Sequence, residues 1–327
     1  MHKILLAILT LLVITTPPGS QTFTTSTRIE SNFVANINQI NNFIHPVHIT
    51  NANKLNSLSI HNPSTIPPSD QATFEQWLRE GQAYHKSGKT VPQLIEFYAQ
   101  KQLGIPYVGG LLEIPKLETL ILTLEGSDCV LFVEYSLALT LTTLQNSTSY
   151  SDLSRNVALL RYQNGQVEGY ASRLHYFSDW LKTNQEKGIL DILHKNNSSL
   201  PLLDPVNFMT KNRSSYRQLS ESDSLFQLMQ EREAFLRSNQ IRFIPEHRIP
   251  DFESSLQTGD ILSFVSTVNG LDIAHTALIV REGNRVGFYH ASTTGKVIKE
   301  PKTLYEYTTD RRNVEGIIVA RLANPVN

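Results

Sequence analysis

The only cysteine of the chain, Cys129, is the first residue whose type and position suit chemistry. It opens the run CVLFVEYSLALTL, which is apolar on nearly every face and predicts a buried helix, with Ser127 or Asp128 as its N-cap. In the first turn of such a helix, unpaired N–H groups and the helix dipole stabilise a thiolate, so we expect a thiol of lowered pKa. This is the chemistry of a nucleophile. The alternative is an inert, buried packing residue.

Two histidines near the other end of the chain supply a base for such a nucleophile. His275 lies in DIAHTALIV and His290 in RVGFYHAS, two stretches with the alternation of β-strands. A two-residue turn at 283–284 pairs Ala277 with His290 and leaves the two histidines as diagonal neighbours on one face. His275 is then positioned to take the thiol proton while His290 orients its ring. Either histidine alone is as well explained by a structural hydrogen bond, so the prediction depends on all three residues together.

The elements that must position these residues predict an α+β fold. From Thr73 onward, TFEQWLREGQAY and TVPQLIEFYAQKQLG read as two amphipathic helices, the second with a capping box at Thr90 and Gln93. The last 70 residues contain short β-branched and aromatic runs separated by turn residues, which is typical of an antiparallel meander. We therefore expect N-terminal helices and a buried Cys-bearing helix packed on a C-terminal antiparallel sheet.

The first 70 residues predict an exported protein. Residues 1–20 have the basic Lys3, an apolar run and then small, polar and proline residues, which is the layout of a signal peptide; an uncleaved membrane anchor is the alternative. Residues 21–70 read as an extended arm or linker, and residues 71–327 as a single catalytic domain with an insertion around 145–250. We expect a periplasmic or secreted monomer without stable membrane insertion after cleavage.

Composition narrows the classes of partner and cofactor. The formal net charge of −1 gives no basic field of the kind that nucleic acids attract, so nucleic acid is excluded as a partner. The sequence contains no His-Glu-x-x-His helix and no paired cysteines, so we predict no metal and no cofactor. The chemistry must then come from side chains alone.

Five stretches in the right order resemble the NlpC-type cell-wall cysteine peptidases, which have a papain-like core. They are GIPYVGG at 104–110, SDCVLFVEY, TGDILSF at 258–264, AHTALIV and FYHAS. The resemblance is closest to an amidase branch that it follows over most of residues 73–325, notably in Asp-Cys-x-x-Phe-Val-Glu and GYASRLHYFSDW. Relatives of this kind are N-acetylmuramoyl-L-alanine amidases that act on peptidoglycan fragments, with a preference for anhydro-muramoyl ends.

The resemblance implies a role for each matching residue. Cys129 is the nucleophile, His275 the base, His290 its orienting partner, and Tyr107 a donor to the oxyanion. The stretch GYASRLHYFSDW offers a cation, aromatic faces and an acceptor for a sugar or a carboxylate. The predicted substrate-binding residues, for which helix capping or a structural junction is the alternative, are Asp128, Arg173, His175, Tyr176 and Asp179.

Two other functions are compatible with the same residues. One is an endopeptidase that cuts between D-glutamate and the diamino acid of the stem peptide. The other is a non-catalytic glycan-binding protein on the same scaffold. The substrate or ligand expected in every case is a muropeptide or peptidoglycan fragment.

Overall fold

Helices precede most of the strands in the computed structural model, which describes residues 68–193, 200–201 and 206–323. The predicted signal peptide at 1–20 and all but the end of the predicted arm at 21–70 lie outside the described residues. The first described helix begins at Pro68, slightly before the predicted start of the domain. Within the described ranges the α-helices are α1 (Pro68–Lys86), α2 (Val91–Lys101), α3 (Cys129–Leu144), α4 (Tyr150–Arg161), α5 (Phe177–Glu186), α6 (Phe208–Lys211), α7 (Arg217–Glu221), α8 (Asp223–Ser238), α9 (Ile249–Phe252) and α10 (Leu304–Thr309).

The strands of the described ranges form one antiparallel sheet. They are β1 (Leu190–Ile192), β2 (Leu200–Pro201), β3 (Arg242–Pro245), β4 (Ile261–Ser266), β5 (Ile273–Glu282), β6 (Arg285–Ala291), β7 (Val297–Lys299) and β8 (Val314–Leu322). Their order is β2-β3-β8-β4-β5-β6-β7, and β1 also pairs with β8. The predicted meander is confirmed for β4 to β7, whereas β8 returns to pair with β4. The α+β class predicted from the sequence is therefore correct.

Helix α3 is the centre of the helical layer. All of its 16 residues except Leu141 and Leu144 are buried, as the nearly continuous apolar run predicts. Its serine and threonine hydroxyls are satisfied inside the helix; Ser136 and Thr140, for example, each donate to the carbonyl four residues earlier, at 2.9 and 2.8 Å. Helices α1, α2 and α4 and strands β5 and β6 all contact α3. The Cys-bearing helix thus packs on the C-terminal sheet, as expected.

The β5–β6 hairpin has the predicted register. Glu282 pairs with Arg285 and Leu278 with Tyr289, so the turn consists of residues 283–284. The same register, extended by one residue away from the turn, places Ala277 opposite His290. The two histidines are therefore diagonal neighbours on one face of the sheet, which confirms the prediction.

The segment at 145–250, predicted as an insertion, contributes to both layers. Helices α4 and α5 pack in the helical layer, and β1 and β3 both pair with β8. The stretch RYQNGQVEGYASRLHYF is strand-like in sequence but does not form a strand. It contains an isolated bridge between Tyr162 and Arg173 and one 3-10 turn, because Gly165 and Gly169 adopt φ of 71° and 90° and turn the chain.

No helix within the described ranges is long and apolar enough to cross a membrane.

Candidate active site

Cys129 is the first residue of α3, and two contacts fix its position. The Asp128 carboxylate caps the helix by accepting from the N–H groups of Val130 at 3.0 Å and Leu131 at 2.9 Å. The Thr276 hydroxyl, on β5, donates to the Cys129 carbonyl at 2.7 Å. Helix side chains tilt toward the helix N-terminus, so the thiol extends past the end of α3 near the beginning of β5.

The two histidines are in direct contact. His275 Nε2 and His290 Nδ1 are 2.7 Å apart, so one ring nitrogen donates to the other. Strand alternation directs Thr276 to the α3 face and both imidazoles to the opposite face. There they pack with Phe264, at 6.1 Å from the His275 ring, and with Tyr307, at 5.7 Å from the His290 ring. The imidazole pair therefore lies on the face of the sheet opposite α3, a detail that the sequence pattern did not predict.

Shared neighbours bring Cys129 and the imidazole pair into one cluster. Hydrogen bonds from the backbone and side chain of Thr276, the residue after His275, act on the thiol and favour its ionised form. Tyr307, which lies edge-on to the His290 ring, interacts electrostatically with the same thiol. The cluster is nearly closed to solvent, because Cys129 is 3% and His275 is 9% exposed.

The thiol pKa differs from the sequence-based expectation. Burial and, to a smaller extent, the neighbouring Asp128 carboxylate raise the pKa of the Cys129 thiol to about 12, against hydrogen bonds from Thr276 that lower it. The expectation of a lowered pKa was wrong because it considered the helix N-terminus without the loss of hydration. The thiol is therefore protonated at neutral pH before substrate arrives.

Tyr107 lies beside Cys129, held by backbone hydrogen bonds on both sides. Its N–H donates to the Gly295 carbonyl at 2.8 Å, and its flanking residues pair with Ser127, two residues before Cys129. Burial raises the pKa of the Tyr107 hydroxyl, and the nearby Cys129 and Asp128 raise it further. That hydroxyl is buried and has no hydrogen-bond partner among the described residues. It is thus a neutral O–H donor whose bond remains to be made.

The residues predicted to bind substrate are engaged within the protein. Asp128 caps α3, and the other four are no more than 3% exposed. Arg173 pairs with Glu113 at 2.5 Å and Glu118 at 2.9 Å, and His175 Nε2 lies 2.8 Å from the Tyr170 carbonyl.

The remaining two have partners on α8. Tyr176 donates to Glu233 at 2.8 Å, and Asp179 pairs with Arg232. Burial raises the pKa of Asp179 to about 6, against the opposing effect of Arg232. Their burial argues against direct substrate contact, and it favours the structural junction that the sequence left as the alternative. The polar side chains of these residues led to the prediction of substrate binding, whereas in the fold they form hydrogen bonds and ion pairs with other residues of the protein.

Two residues near the site were missed by the sequence interpretation. Thr276 follows His275 on β5. Its contact with Cys129 depends on how α3 packs on the sheet, which the sequence does not show. Glu300 follows β7, and its Oε2 lies 3.2 Å from His290 Nε2. The signal that was available for Glu300 is the register of the β6–β7 hairpin, in which His290 pairs with Ile298.

Among the described residues, no group of three or more His, Cys, Asp or Glu side chains is arranged to hold a metal ion.

Comparison with known proteins identifies the family. The model of the AmiA-like family, described as N-acetylmuramoyl-L-alanine amidase-like, matches residues 98–317, about two thirds of the chain. The chain belongs to this AmiA-like family. The matched range includes Tyr107, Cys129 and both histidines of the candidate site.

Solved structures agree with this assignment. A crystal structure of an N-acetylmuramoyl-L-alanine amidase from Bacteroides uniformis is 29% identical, with a TM-score of 0.67, and the match covers 72% of this chain and 99% of that one. A Bacteroides fragilis protein named as a candidate xylanase is also 29% identical, with a TM-score of 0.64, covering 69% of this AmiA-like chain and 99% of its own. A Legionella pneumophila protein of family DUF1460 shares the fold at 18% identity and a TM-score of 0.56, covering 78% and 95%. No curated protein matches.

Proposed function

We propose that this AmiA-like protein is a cysteine amidase that hydrolyses the bond between N-acetylmuramic acid and L-alanine in peptidoglycan fragments, on a papain-like core of the NlpC type. The observation that carries the proposal is the 2.7 Å contact between His275 and His290, in the same cluster as a helix-opening cysteine. The amidase name of the Bacteroides uniformis relative supports the choice of bond. The predicted signal peptide supports action outside the cytoplasm.

The proposed reaction begins with proton transfer from the thiol. His275 Nε2 is engaged by His290, so Nδ1 is the ring nitrogen that takes the proton from Cys129. The sulfur attacks the lactyl carbonyl and forms a C–S bond, while negative charge develops on the carbonyl oxygen. The Tyr107 hydroxyl and the Cys129 N–H are the donors to that oxygen.

Collapse of this intermediate breaks the C–N bond. His275 returns its proton to the leaving amine, and the stem peptide departs with a free L-alanine N-terminus. Water, deprotonated by His275, then attacks the thioester, and the muramic carboxylate and the free thiol are released. Because the raised pKa keeps the resting thiol neutral, thiolate formation is coupled to substrate arrival, when the substrate carbonyl enters the cluster.

The carboxylates next to the cluster do not favour sugar-bond hydrolysis, which requires an acid and a base on opposite sides of the glycosidic oxygen. Asp128 is committed to the α3 cap, and Glu300 lies against His290. This argues against extending the name of the Bacteroides fragilis relative to this chain.

Digestion of defined muropeptides tests the proposal. Purified anhydro-muropeptides and their reduced-end counterparts are incubated with wild-type protein and with Cys129→Ala, and the products are read by mass spectrometry. The amidase releases free disaccharide and an intact stem peptide, faster from the anhydro form, and Cys129→Ala releases neither. A disaccharide that retains L-alanine and D-glutamate indicates the endopeptidase instead. Binding of muropeptide without any product indicates the glycan-binding alternative.

A further inference from the structure

The β6–β7 hairpin brings a carboxylate to the far side of the histidine pair. His290 pairs with Ile298, and the Glu300 N–H donates to the Phe288 carbonyl at 2.9 Å, which continues the same register beyond β7. Glu300 is therefore a diagonal neighbour of His290 on the same face. His275, His290 and Glu300 thus form a diagonal line across successive strands.

The Glu300 carboxylate is held in place and faces the outer nitrogen of His290. Its Oε2 lies 3.2 Å from His290 Nε2, and its Oε1 accepts from the Lys302 N–H at 3.2 Å. The side chain is buried. The contact with His290 is the main cause that lowers the pKa of Glu300, so the group is a carboxylate at neutral pH.

The positions of these atoms restrict the protons on both rings. A carboxylate accepts and does not donate, so it favours the His290 tautomer with its proton on Nε2. His290 Nδ1 is then an acceptor, and His275 Nε2 must be the donor across the 2.7 Å contact. His275 is left with a lone pair on Nδ1, which is the state that a base needs in order to take a thiol proton.

We propose that Glu300 is a positioning residue, the fourth member of a relay with Cys129, His275 and His290, which selects the tautomer of both imidazoles and thereby makes His275 a base. This inference rests on the proposed function for its kinetic consequences. The His290 N–H does not point squarely at the carboxylate in the substrate-free protein. Catalytic hydrogen bonds are often poorly aligned before substrate binds.

The competing explanation is that Glu300 only secures the turn at Lys302. Two substitutions separate the roles, because glutamine retains an acceptor without the charge and alanine retains neither. We expect Glu300→Ala to lower kcat about ten- to a hundredfold with little change in KM, which is the size of effect found for groups that orient metal-bound imidazoles. Glu300→Gln should recover most of that loss. The matched control is Asp310→Asn, which removes a nearby exposed carboxylate that pairs with Lys302 at 2.6 Å.

The pH profile distinguishes positioning from turn stability. The groups that face His290 are His275, Glu300, Tyr307 and Arg311, and among them Glu300 is the one that favours a protonated ring by its contact. Activity requires neutral imidazoles, so it falls as pH drops through their pKa. Removal of the carboxylate lowers that pKa, and the acid limb of kcat/KM should therefore move to lower pH in both Glu300 variants but not in Asp310→Asn. Wild-type kcat and an unmoved acid limb in Glu300→Ala overturn the inference.

A measurement without substrate keeps this test independent of the proposed function. In ¹⁵N-histidine-labelled protein, assigned with His290→Gln, the nitrogen shifts should show His290 protonated on Nε2 and His275 protonated on Nε2. Glu300→Ala should convert both to mixtures of tautomers. If the wild-type protein shows these tautomers but releases no product from muropeptide, the proposed function is refuted, whereas the selection of tautomers by Glu300 is supported. If His290 carries its proton on Nδ1, the relay is refuted whatever the activity.

Discussion

Replacement of Asp128 by alanine should lower the free energy of unfolding by about 2 to 4 kcal/mol. The carboxylate accepts from the N–H groups of Val130 and Leu131, which are 2% and 0% exposed, so water has little access to replace it. Each orphaned buried N–H costs about 1 to 3 kcal/mol, and a lost N-cap typically costs about 1 kcal/mol. Part of this destabilisation is offset, because the alanine variant no longer has to bury a carboxylate.

Asp128→Asn is the matched control, because asparagine is an equally good N-cap. We expect its stability to remain within about 1 kcal/mol of wild type, measured by urea unfolding at constant m-value. Because the Asp128 carboxylate raises the pKa of Cys129, its loss should lower that pKa.

Iodoacetamide alkylation of Cys129 across pH measures the second effect. The midpoint should move to lower pH in Asp128→Asn, while KM for muropeptide remains unchanged. An alanine variant as stable as wild type refutes the capping argument. A large increase in KM for the asparagine variant indicates instead that Asp128 binds substrate.

Substitutions at three further residues have distinct expected results. Tyr107→Phe should lower kcat about 10²- to 10³-fold with unchanged stability, because its hydroxyl has no hydrogen-bond partner among the described residues; an unchanged kcat removes it from the oxyanion site. Thr276→Val should lower the free energy of unfolding by about 1 kcal/mol, measured by thermal unfolding, and should slow alkylation of Cys129, because it removes the hydroxyl that bonds to Cys129. Thr276→Ser keeps the hydroxyl and should behave like wild type, so equal behaviour of the two variants contradicts this prediction. Glu134→Ala should cost about 3 to 5 kcal/mol in urea unfolding, because it leaves Arg161 charged and buried without its 2.7 Å partner; a loss under 1 kcal/mol is the contrary result.

The local rules that predicted the helices and the hairpin act over a few residues. The capping box at Thr90 and the turn at 283–284 were both predictable because neighbouring residues determine them. The return of β8 to β4 was not predictable, since strand order depends on packing between distant segments. Packing between distant segments also determines the surroundings of Arg173. The charged and polar residues of that stretch were predicted to bind substrate, but they are buried and paired within the protein.

Three residues of the candidate site were predictable from the sequence, whereas the electrostatics of the site were not. Cys129, His275 and His290 are recognisable from helix start and strand alternation. The raised pKa of Cys129 depends on how many atoms surround the sulfur, which no local pattern records. Recognition of Glu300 requires two hairpin registers in succession, of which only the first was predicted from the sequence.

Detection of an acyl-enzyme on Cys129 tests the central claim most directly. Wild-type protein is mixed with anhydro-muropeptide and quenched in acid within milliseconds to seconds, and proteolytic peptides are then analysed by mass spectrometry. The account predicts a muramoyl thioester on the peptide that contains Cys129, which disappears as free disaccharide accumulates and is absent in Cys129→Ala. Release of disaccharide by Cys129→Ala at the wild-type rate contradicts the account.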